Sequence, residues 1–278
     1  MVEVREWSRA DTVPLLRVPT ASDDKYSRGV VAIRTGSDAY PGAAVLGVEA
    51  AWRTGAGFVR YVGAGRAANA VIARRPETVA ASDIGRTRIG AWVIGSGTDP
   101  SHRSWDEERA LHEILTGSTP VVVDAGAIDL APRAEAPLVV TPHAGEFARL
   151  RERMGLSPEG SGDRAADAVE VAAALAAVVL LKGASTIIAA PDGSARSVAD
   201  APSWLATAGT GDVLAGMLGA LIAANPDSPL ADVVASGAWL HAHAATIASG
   251  VQDSGPGHPI VALDLARAIP AAIGDLLS

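Results

Sequence analysis

The sequence contains no cysteine, and this absence excludes a disulfide framework, a thiolate metal site and a cysteine nucleophile. It also has little positive charge, because 23 lysines and arginines stand against 31 aspartates and glutamates, a formal net charge of −8. Such an acidic chain lacks the basic surface of nucleic-acid-binding proteins, so we expect no nucleic-acid partner. Hydrophobic residues make up 49 % of the sequence and charged residues 19 %, which is too apolar for a disordered chain.

Long hydrophobic runs are also missing. The longest apolar stretch covers residues 171–181, well short of the roughly 20 residues that a membrane-spanning helix needs. The N-terminal segment MVEVREWSRAD is charged and has no apolar core of the kind found in signal peptides. We therefore expect a soluble cytoplasmic protein with no membrane partner.

Short apolar strands alternate with helical segments along the chain. Strands are predicted at 30–34, 58–62, 92–94, 121–123, 138–141, 178–181 and 186–190, and helices at about 42–54, 66–74, 105–115, 164–177, 212–224, 232–249 and 263–277. The strands are continuously apolar, which is typical of a parallel sheet buried on both faces. The alternation predicts an α/β fold with helices on both faces of the sheet. No linker is long enough to divide the chain, so we expect one domain over 1–278.

Ligands of open α/β sheets bind beyond the carboxyl ends of the strands, so the residues that follow the predicted strands are the candidates. They are rich in glycine, aspartate, histidine and lysine, as a phosphate-handling site requires. They comprise Gly36-Ser37, Gly95–Gly97, Asp124, Pro142-His143, Lys182-Gly183 and the loop Gly209–Asp212.

In the segment ATAGTGDVLAG (206–216), small residues precede a predicted helix whose first turn carries Asp212. Backbone amides at such a helix start bind anions, and glycine allows a phosphate to come close. A carboxylate beside them is suited to act as general base on an attacking hydroxyl. A plain turn with Asp212 as the helix N-cap fits this segment equally well.

Lys182 follows a buried strand in LLKGAST, and Lys25 is the only other lysine in the sequence. Because every other basic residue is arginine, the ammonium at 182 indicates a need for a compact point charge. A surface lysine is the alternative. In TPHAGE, His143 and Glu146 stand three residues apart at a predicted helix start, where the histidine is either a ligand-binding or a structural residue.

The remaining candidate motifs are weaker. The turn Gly95-Ser96-Gly97-Thr98-Asp99 suits a close backbone approach to a ligand. It lacks the spacing of the dinucleotide fingerprint, and the chain has no GxxxxGK[ST] phosphate loop. His241 and His243 lie two apart on an apolar helix and therefore on different faces, so we interpret neither as a metal ligand.

Seven segments together resemble the ADP-dependent NAD(P)H-hydrate dehydratases of the ribokinase-like superfamily, over about residues 25–275. In chain order they are Lys25–Gly29, VVAIRTGSDAYPGAA, GAGFVRYV, TPHAGEFARL, LLKGASTIIAAPDG, ATAGTGDVLAGML and WLHAHAA. The resemblance implies a three-layer ribokinase-like fold preceded by an N-terminal extension, residues 1–24. It implies repair of the S epimer of hydrated NADH or NADPH (NADHX and NADPHX), with ADP as phosphoryl donor and AMP and phosphate as products. This is a lyase reaction, and Mg²⁺ is expected with the nucleotide phosphates.

The resemblance also implies roles for individual residues. Asp212 would be the base and contact the hydrated dinucleotide, whose site is completed by Ala43, Gly97 and His143. The anion hole would be formed by Gly209, Thr210 and Gly211. The nucleotide would be held by Lys182, Gly183, Ala184, Ser185, Thr186 and Gly211. No metal ligand is assigned.

Three positions depart from the family pattern. The family's usual GSGD is GTGD here, which keeps a hydroxyl. The usual Asp-Ala-Asp-Ala is Asp124-Ala125-Gly126-Ala127, which lacks the second carboxylate and leaves a metal or water role there in doubt. The usual GPGxG ends in Asp99 instead of glycine, which weakens the assignment of Gly97.

Two other functions fit parts of the pattern. A ribokinase-like kinase that phosphorylates a vitamin or sugar hydroxyl with ATP would use the same loop and core. A nucleotide-binding regulator without activity would explain Gly126, although the presence of Asp212 and Lys182 argues against it. The resemblance further suggests a homotetramer without a fused epimerase domain, working alongside a separate NAD(P)H-hydrate epimerase.

Overall fold

The computed structural model describes residues 2–199, 201–251 and 255–278, and positions 1, 200 and 252–254 of the predicted domain lie outside the described residues. Ten strands form its central sheet. They are β1 (Val4–Glu6), β2 (Val30–Arg34), β3 (Phe58–Val62), β4 (Val79–Ala81), β5 (Ala91–Ile94), β6 (Val121–Val123), β7 (Leu138–Val140), β8 (Val178–Leu181), β9 (Thr186–Ala189) and β10 (Ala195–Val198).

The sheet has the order β1-β10-β9-β8-β7-β6-β5-β2-β3-β4. Within the described chain, β9 runs antiparallel to both of its neighbours, and the other pairings are parallel. The carboxyl ends of β2, β5, β6, β7 and β8 therefore meet at one edge of the sheet. This mostly parallel sheet confirms the predicted α/β class.

Helices cover both faces of the sheet. They are α1 (Arg9–Thr12), α2 (Pro41–Arg53), α3 (Gly65–Arg74), α4 (Trp105–Leu115), α5 (Ala144–Arg153), α6 (Arg164–Leu175), α7 (Thr210–Ala224), α8 (Leu230–Ser249) and α9 (Ala262–Leu277). Short 3-10 helices cover Val13–Leu15, Pro100–His102, Ala125–Arg133 and Ser203–Leu205. In the described ranges, no helix combines the length and apolar character needed to cross a bilayer.

Alternate residues of each strand enter two separate cores. Val31 and Ile33 of β2 pack with α2, α7, α8 and α9, whereas Ala32 between them packs with α4, α5 and α6. Burying an aliphatic side chain of this size contributes about 1.5–3 kcal/mol to folding. Because both faces of the strands are buried, their sequences read as continuous apolar runs, as the sequence predicted.

The sequence did not predict three short strands at or next to the edges of the sheet. β1, β4 and β10 have three or four residues each and are partly exposed, so they lack the apolar signal of the central strands. Pairing of Val4 with Ala195 joins the predicted N-terminal extension to the sheet. Trp7 then lies buried, with its indole Nε1 donating to Ser236 Oγ at 3.1 Å.

Glycines allow α7 to lie unusually close to its neighbours. A methyl group at Gly216 would collide with the backbone of Gly47 in α2, and one at Gly219 would collide with Val93 of β5. Gly216 lies one helical turn after Asp212, so this close packing fixes where the first turn of α7 meets the sheet edge.

Gly216→Ala is therefore expected to push α7 away from α2 and destabilise the protein by about 1–3 kcal/mol, as overpacking does. Gly274→Ala is the matched control, because a methyl group there meets no atom within 4 Å and alanine favours a helix. Thermal unfolding of both variants tests this. A Gly216→Ala protein as stable as Gly274→Ala would contradict the role of Gly216.

Candidate active site

Polar side chains follow four neighbouring strands at the edge where these strands end. Ser96 follows the strand β5 closely, Asp124 follows β6, Thr141 follows β7 and Lys182 follows β8. Since these strands are parallel and adjacent, the four residues lie side by side at the carboxyl edge of the sheet. Open α/β sheets bind ligands at this edge, so it is the candidate active site.

Asp124 occupies the centre of this group. Its side chain is 3 % exposed. Asp124 Oδ2 accepts from Ser96 Oγ at 2.8 Å, and Oδ1 accepts from Thr141 Oγ1 at 2.8 Å and Lys182 Nζ at 2.9 Å. A buried charge requires such partners. The sequence placed Asp124 after a strand but assigned it no role. Its position at a strand end was the only sequence feature that pointed to a place in the site.

Lys182 connects this buried carboxylate to the start of α7. Its Nζ lies 4.0 Å from Glu146 Oε2, and a Cβ on Gly211 would lie 3.5 Å from Nζ. The ammonium thus stands beside the first turn of the helix, where both its charge and the helix dipole favour an anion. The structure therefore brings together Lys182 and Gly211, as the sequence predicted for a nucleotide site.

The first turn of α7 has open backbone amides. Gly209 is the N-cap residue, with a φ of 90° that favours glycine, and it provides no side-chain cap. Within the described residues, the amides of Gly211 and Asp212 donate to no acceptor. The hydroxyl of Thr210 points away from this opening, because it donates to the carbonyl oxygens of Leu205 and Thr207, each at 2.9 Å.

His241 forms a hydrogen bond with the backbone of this turn. Its Nε2 lies 2.9 Å from the carbonyl oxygen of Thr210, so Nε2 carries the proton and donates it. Burial lowers the pKa of His241 to about 4, and the imidazole is neutral at pH 7. Sequence reasoning assigned His241 no function. A histidine within a largely apolar helix was the only signal for its contact with the loop.

Asp212 is the carboxyl group at this site whose pKa is raised. Its pKa is raised to about 6, mainly by burial. The negative charge of Asp124 contributes to this rise, and the positive charge of Lys182 opposes it. The carboxylate also lies close to the cap residue, since a Cβ on Gly209 would be 3.8 Å from Asp212 Oδ2. A carboxyl group with this pKa is suited to accept a proton near neutral pH.

Ala43 and Gly97 face each other beside this centre. Gly97 has a φ of 68°, and a side chain there would collide with Ala43. Glycine at 97 therefore fits both the conformation and the space, despite Asp99 in place of the family's last glycine. Asp99 instead caps the following 3-10 helix, accepting from the amide of Ser101 at 2.9 Å.

His143 is the N-cap of α5. Its Nδ1 accepts from the amides of Gly145 and Glu146 at 3.0 and 3.3 Å, which leaves the proton of a neutral ring on Nε2. In turn, the backbone amide of His143 donates to the carboxylate of Glu146 at 2.9 Å. His143 therefore has the structural role that the sequence allowed, as a helix cap. Its half-exposed ring also borders a cavity.

A cavity of about 510 Å³ opens between α7, α8 and the turn after β8. Of the predicted nucleotide residues, it is lined by Lys182, Gly183, Ala184, Thr186 and Gly211, and His241 lines it as well. Ser185 does not belong to this lining. Its carbonyl oxygen accepts from Arg164 Nη1 at 2.9 Å, so Arg164, which the sequence did not single out, braces the turn.

A second cavity, of about 430 Å³, lies on the other side of Glu146. Thr98, Gly126, Arg149 and Arg153 are among its lining residues. A side chain at Gly126 would collide with the backbone of Thr98, so the family's second aspartate does not fit here.

No cluster of three or more histidine, aspartate or glutamate side chains suited to a metal ion occurs in the described part of the chain. The oxygens of Asp124 are engaged by Lys182, Ser96 and Thr141. The residues present therefore do not form a protein cage for a metal. Mg²⁺ typically binds through substrate phosphates with one or two carboxylates, and such a site needs no cage.

Comparisons with known proteins agree with this geometry. A model of the NAD(P)H-hydrate dehydratase family matches residues 31–268. The bifunctional NAD(P)H-hydrate repair enzyme of Mycobacterium leprae is 41 % identical over 256 residues, which cover 89 % of this chain and 51 % of that protein. The chain thus spans about half the length of its bifunctional relatives.

Solved structures match over almost the full length. The ADP/ATP-dependent NAD(P)H-hydrate dehydratase from Bacillus subtilis, co-crystallized with ATP and Mg²⁺, is 28 % identical with a TM-score of 0.84, covering 98 % of this chain and 99 % of that one. A ribokinase-like superfamily protein from Enterococcus faecalis is 21 % identical, with a TM-score of 0.84 and coverage of 98 % and 96 %. The predicted ribokinase-like fold is therefore confirmed.

The raised pKa of Asp212 predicts how stability depends on pH. Its pKa of about 6 in the folded state exceeds the unfolded value near 3.9, so ionisation destabilises the fold. This cost is absent below about pH 4 and complete above about pH 6. Asp212→Asn should therefore stabilise the protein at pH 7.5, by up to about 3 kcal/mol, and by only about a third of that amount at pH 4.5.

The measurement is thermal unfolding at both pH values. Asp227→Asn is the control, because it removes the same charge from an exposed loop. The same small shift in both variants at pH 7.5 would rule out the unfavourable ionisation of Asp212.

Proposed function

The chain belongs to the NAD(P)H-hydrate dehydratase family, and from this we propose that it catalyses the ADP-dependent dehydration of the S epimer of hydrated NADH or NADPH. The products would be the reduced dinucleotide, AMP and phosphate. One observation carries the proposal: Asp212, with its pKa of about 6, stands at the open first turn of α7 beside the Lys182–Asp124 ion pair. A base, an anion site and a cation are what phosphoryl transfer to a hydroxyl requires.

The reaction begins with proton transfer. Ionised Asp212 takes the proton of the C6 hydroxyl of the hydrated nicotinamide ring, and the oxygen attacks the terminal phosphorus of ADP. The bond from this phosphorus to the bridging oxygen breaks, and AMP leaves with the electron pair. Hydroxide is a poor leaving group and phosphate a good one, so the phosphorylated ring then expels phosphate. Loss of the neighbouring C5 proton to solvent restores the ring double bond.

The transferred phosphoryl group is negatively charged, and the site would neutralise this charge with groups already in place. The amides of Gly211 and Asp212 point to the opening of α7, and the ammonium of Lys182 lies beside them. Gly209 allows the close approach through its positive φ. The amide of Thr210 donates to the carbonyl oxygen of Thr207 at 3.4 Å, so Thr210 would shape the anion hole without donating to it, and His241 holds its carbonyl oxygen. Such fixed donors need no reorganisation during the reaction.

Of the two cavities, the one of about 510 Å³ suits the nucleotide, and the other lies beside the site proposed for the hydrated dinucleotide. The nucleotide would occupy the one lined by Lys182, Gly183, Ala184, Thr186 and Gly211, with Ser185 contributing through the shape of the turn. The hydrated nicotinamide would lie against Ala43, Gly97 and His143, within reach of Asp212. Mg²⁺ bound to the nucleotide phosphates would supply further charge neutralisation.

Four further features belong to the proposal. Residues 1–278 act as one catalytic domain, including the N-terminal segment that joins the sheet. The assembly is a homotetramer, as the resemblance implies. A separate NAD(P)H-hydrate epimerase supplies the reactive epimer, a role consistent with the bifunctional relatives. The protein works in the cytoplasm, and its lack of cysteine fits a compartment without disulfides.

An absorbance assay tests the function directly. Purified protein is mixed with Mg²⁺ and chemically hydrated NADH, and then with ADP or ATP in parallel. We expect the near-UV band of the reduced nicotinamide to return with ADP. Its return with ATP alone would overturn the choice of donor. No return from folded protein that binds nucleotide would favour a small-molecule kinase, detected as a phosphorylated product.

The role of Asp212 predicts a second result. Because the carboxylate must be ionised, kcat should fall about tenfold per pH unit below about pH 6 and remain level above it. Asp212→Asn should bind ADP normally and lose several orders of magnitude in turnover, whereas Asp227→Asn should match the wild type at every pH. Turnover by Asp212→Asn within tenfold of the wild type would exclude Asp212 as the base.

A further inference from the structure

Two arginines of α5, Arg149 and Arg153, line the outer part of the cavity of about 430 Å³. Glu146, one turn earlier on the same helix, lines it too and lies 4.0 Å from the ammonium of Lys182. The cavity therefore extends from the neighbourhood of the reaction centre along α5. We call Arg149 and Arg153 the arginine pair.

The arginine pair has no protein partner in the part of the chain that the structure describes. Neither guanidinium takes part in an ion pair or a side-chain hydrogen bond with another described residue. Nearby arginines behave differently, because Arg103 binds Asp129 at 2.7 Å and Arg151 binds Glu170 at 2.8 Å. Both side chains are exposed, so water solvates their guanidinium groups, and they are free to bind an anion that enters the cavity.

The two side chains share one face of the helix. They are four residues apart, so their Cα atoms lie about 6 Å apart along the axis. Arg149 leans toward the reaction centre, since its Nη1 lies 3.7 Å from the position of a Cβ on Gly145. Arg153 follows one turn further out. The pair thus forms a short row of positive charge that leads away from His143 and Glu146.

We propose that the arginine pair binds the phosphates of the hydrated dinucleotide. This inference rests on the proposed function, in which the nicotinamide end lies against Ala43, Gly97 and His143. The rest of the dinucleotide must then extend from that point, and it carries a pyrophosphate in both substrates and a 2′-phosphate in hydrated NADPH. The planar guanidinium binds phosphate oxygens in pairs, which makes arginine well suited to this position.

The test compares three double variants with the wild type. Arg149→Gln with Arg153→Gln removes the two charges, and Arg149→Lys with Arg153→Lys keeps them. Arg86→Gln with Arg88→Gln is the matched control, because both arginines are exposed and precede β5 at the opposite edge of the sheet. KM and kcat are measured for hydrated NADH, hydrated NADPH and ADP. Equilibrium binding of NADH and NADPH is measured separately by titration.

The glutamine pair should raise KM for the hydrated dinucleotide at least tenfold and leave kcat and the KM for ADP nearly unchanged. This split is expected because the contact exists equally before and during the reaction. The lysine pair should restore most of the affinity, and the control should match the wild type. Equal effects on both substrates identify the pyrophosphate as the bound group, and a larger effect on hydrated NADPH identifies the 2′-phosphate.

Two results would overturn the inference. One is an unchanged KM and unchanged binding of NADH and NADPH in the glutamine pair. The other is a rise in the KM for ADP alone, which would assign the arginines to the nucleotide. Failure of the proposed function is a separate outcome: the wild type would then lack turnover, while the titrations would still decide whether the arginine pair binds the phosphates of NADH and NADPH.

Discussion

The buried ion pair between Asp124 and Lys182 is the interaction on which the candidate site depends. Asp124 is held by three donors, and Lys182 is the only cation among them. Its negative charge then acts on Asp212, whose pKa rises to about 6 through burial first and Asp124 second, with Lys182 limiting the rise. Asp124 and Asp212 thus lie near the same ammonium, and Asp212 is the carboxyl group whose pKa this arrangement brings close to neutral pH.

The position of α7 is the second constraint. Glycines at 216 and 219 let the helix approach α2 and β5 closely, and this approach brings its first turn to the sheet edge. That turn lacks a side-chain cap, and its carboxylate is costly to ionise. The site therefore reduces local stability in exchange for open amides and a usable base, a compromise common at active sites. The tightly packed remainder of α7 offsets the cost.

The sequence predicted the central strands and the strand-end residues because both follow from local rules. Continuous apolar runs mark strands buried on two faces, and ligands bind at their carboxyl ends. What it missed depends on contacts between distant residues. Lys182 meets Asp124 across 58 positions and His241 meets Thr210 across 31, and no local pattern records either pairing. The short strands β1, β4 and β10 were missed because pairing rather than apolar content defines them.

The two departures from the family pattern at this edge are one structural change. The carbonyl of Thr98 occupies the space that a side chain at position 126 would need, and Arg103 binds the carbonyl oxygen of Gly126. Asp99 meanwhile caps the adjacent 3-10 helix. The loop thus fills the place that a side chain at position 126 would need, and the ion pair of Asp124 and Lys182 is present beside it. Gly126 consequently gives no support to an inactive nucleotide-binding regulator, because Asp212, Lys182 and the open amides of α7 are present beside it.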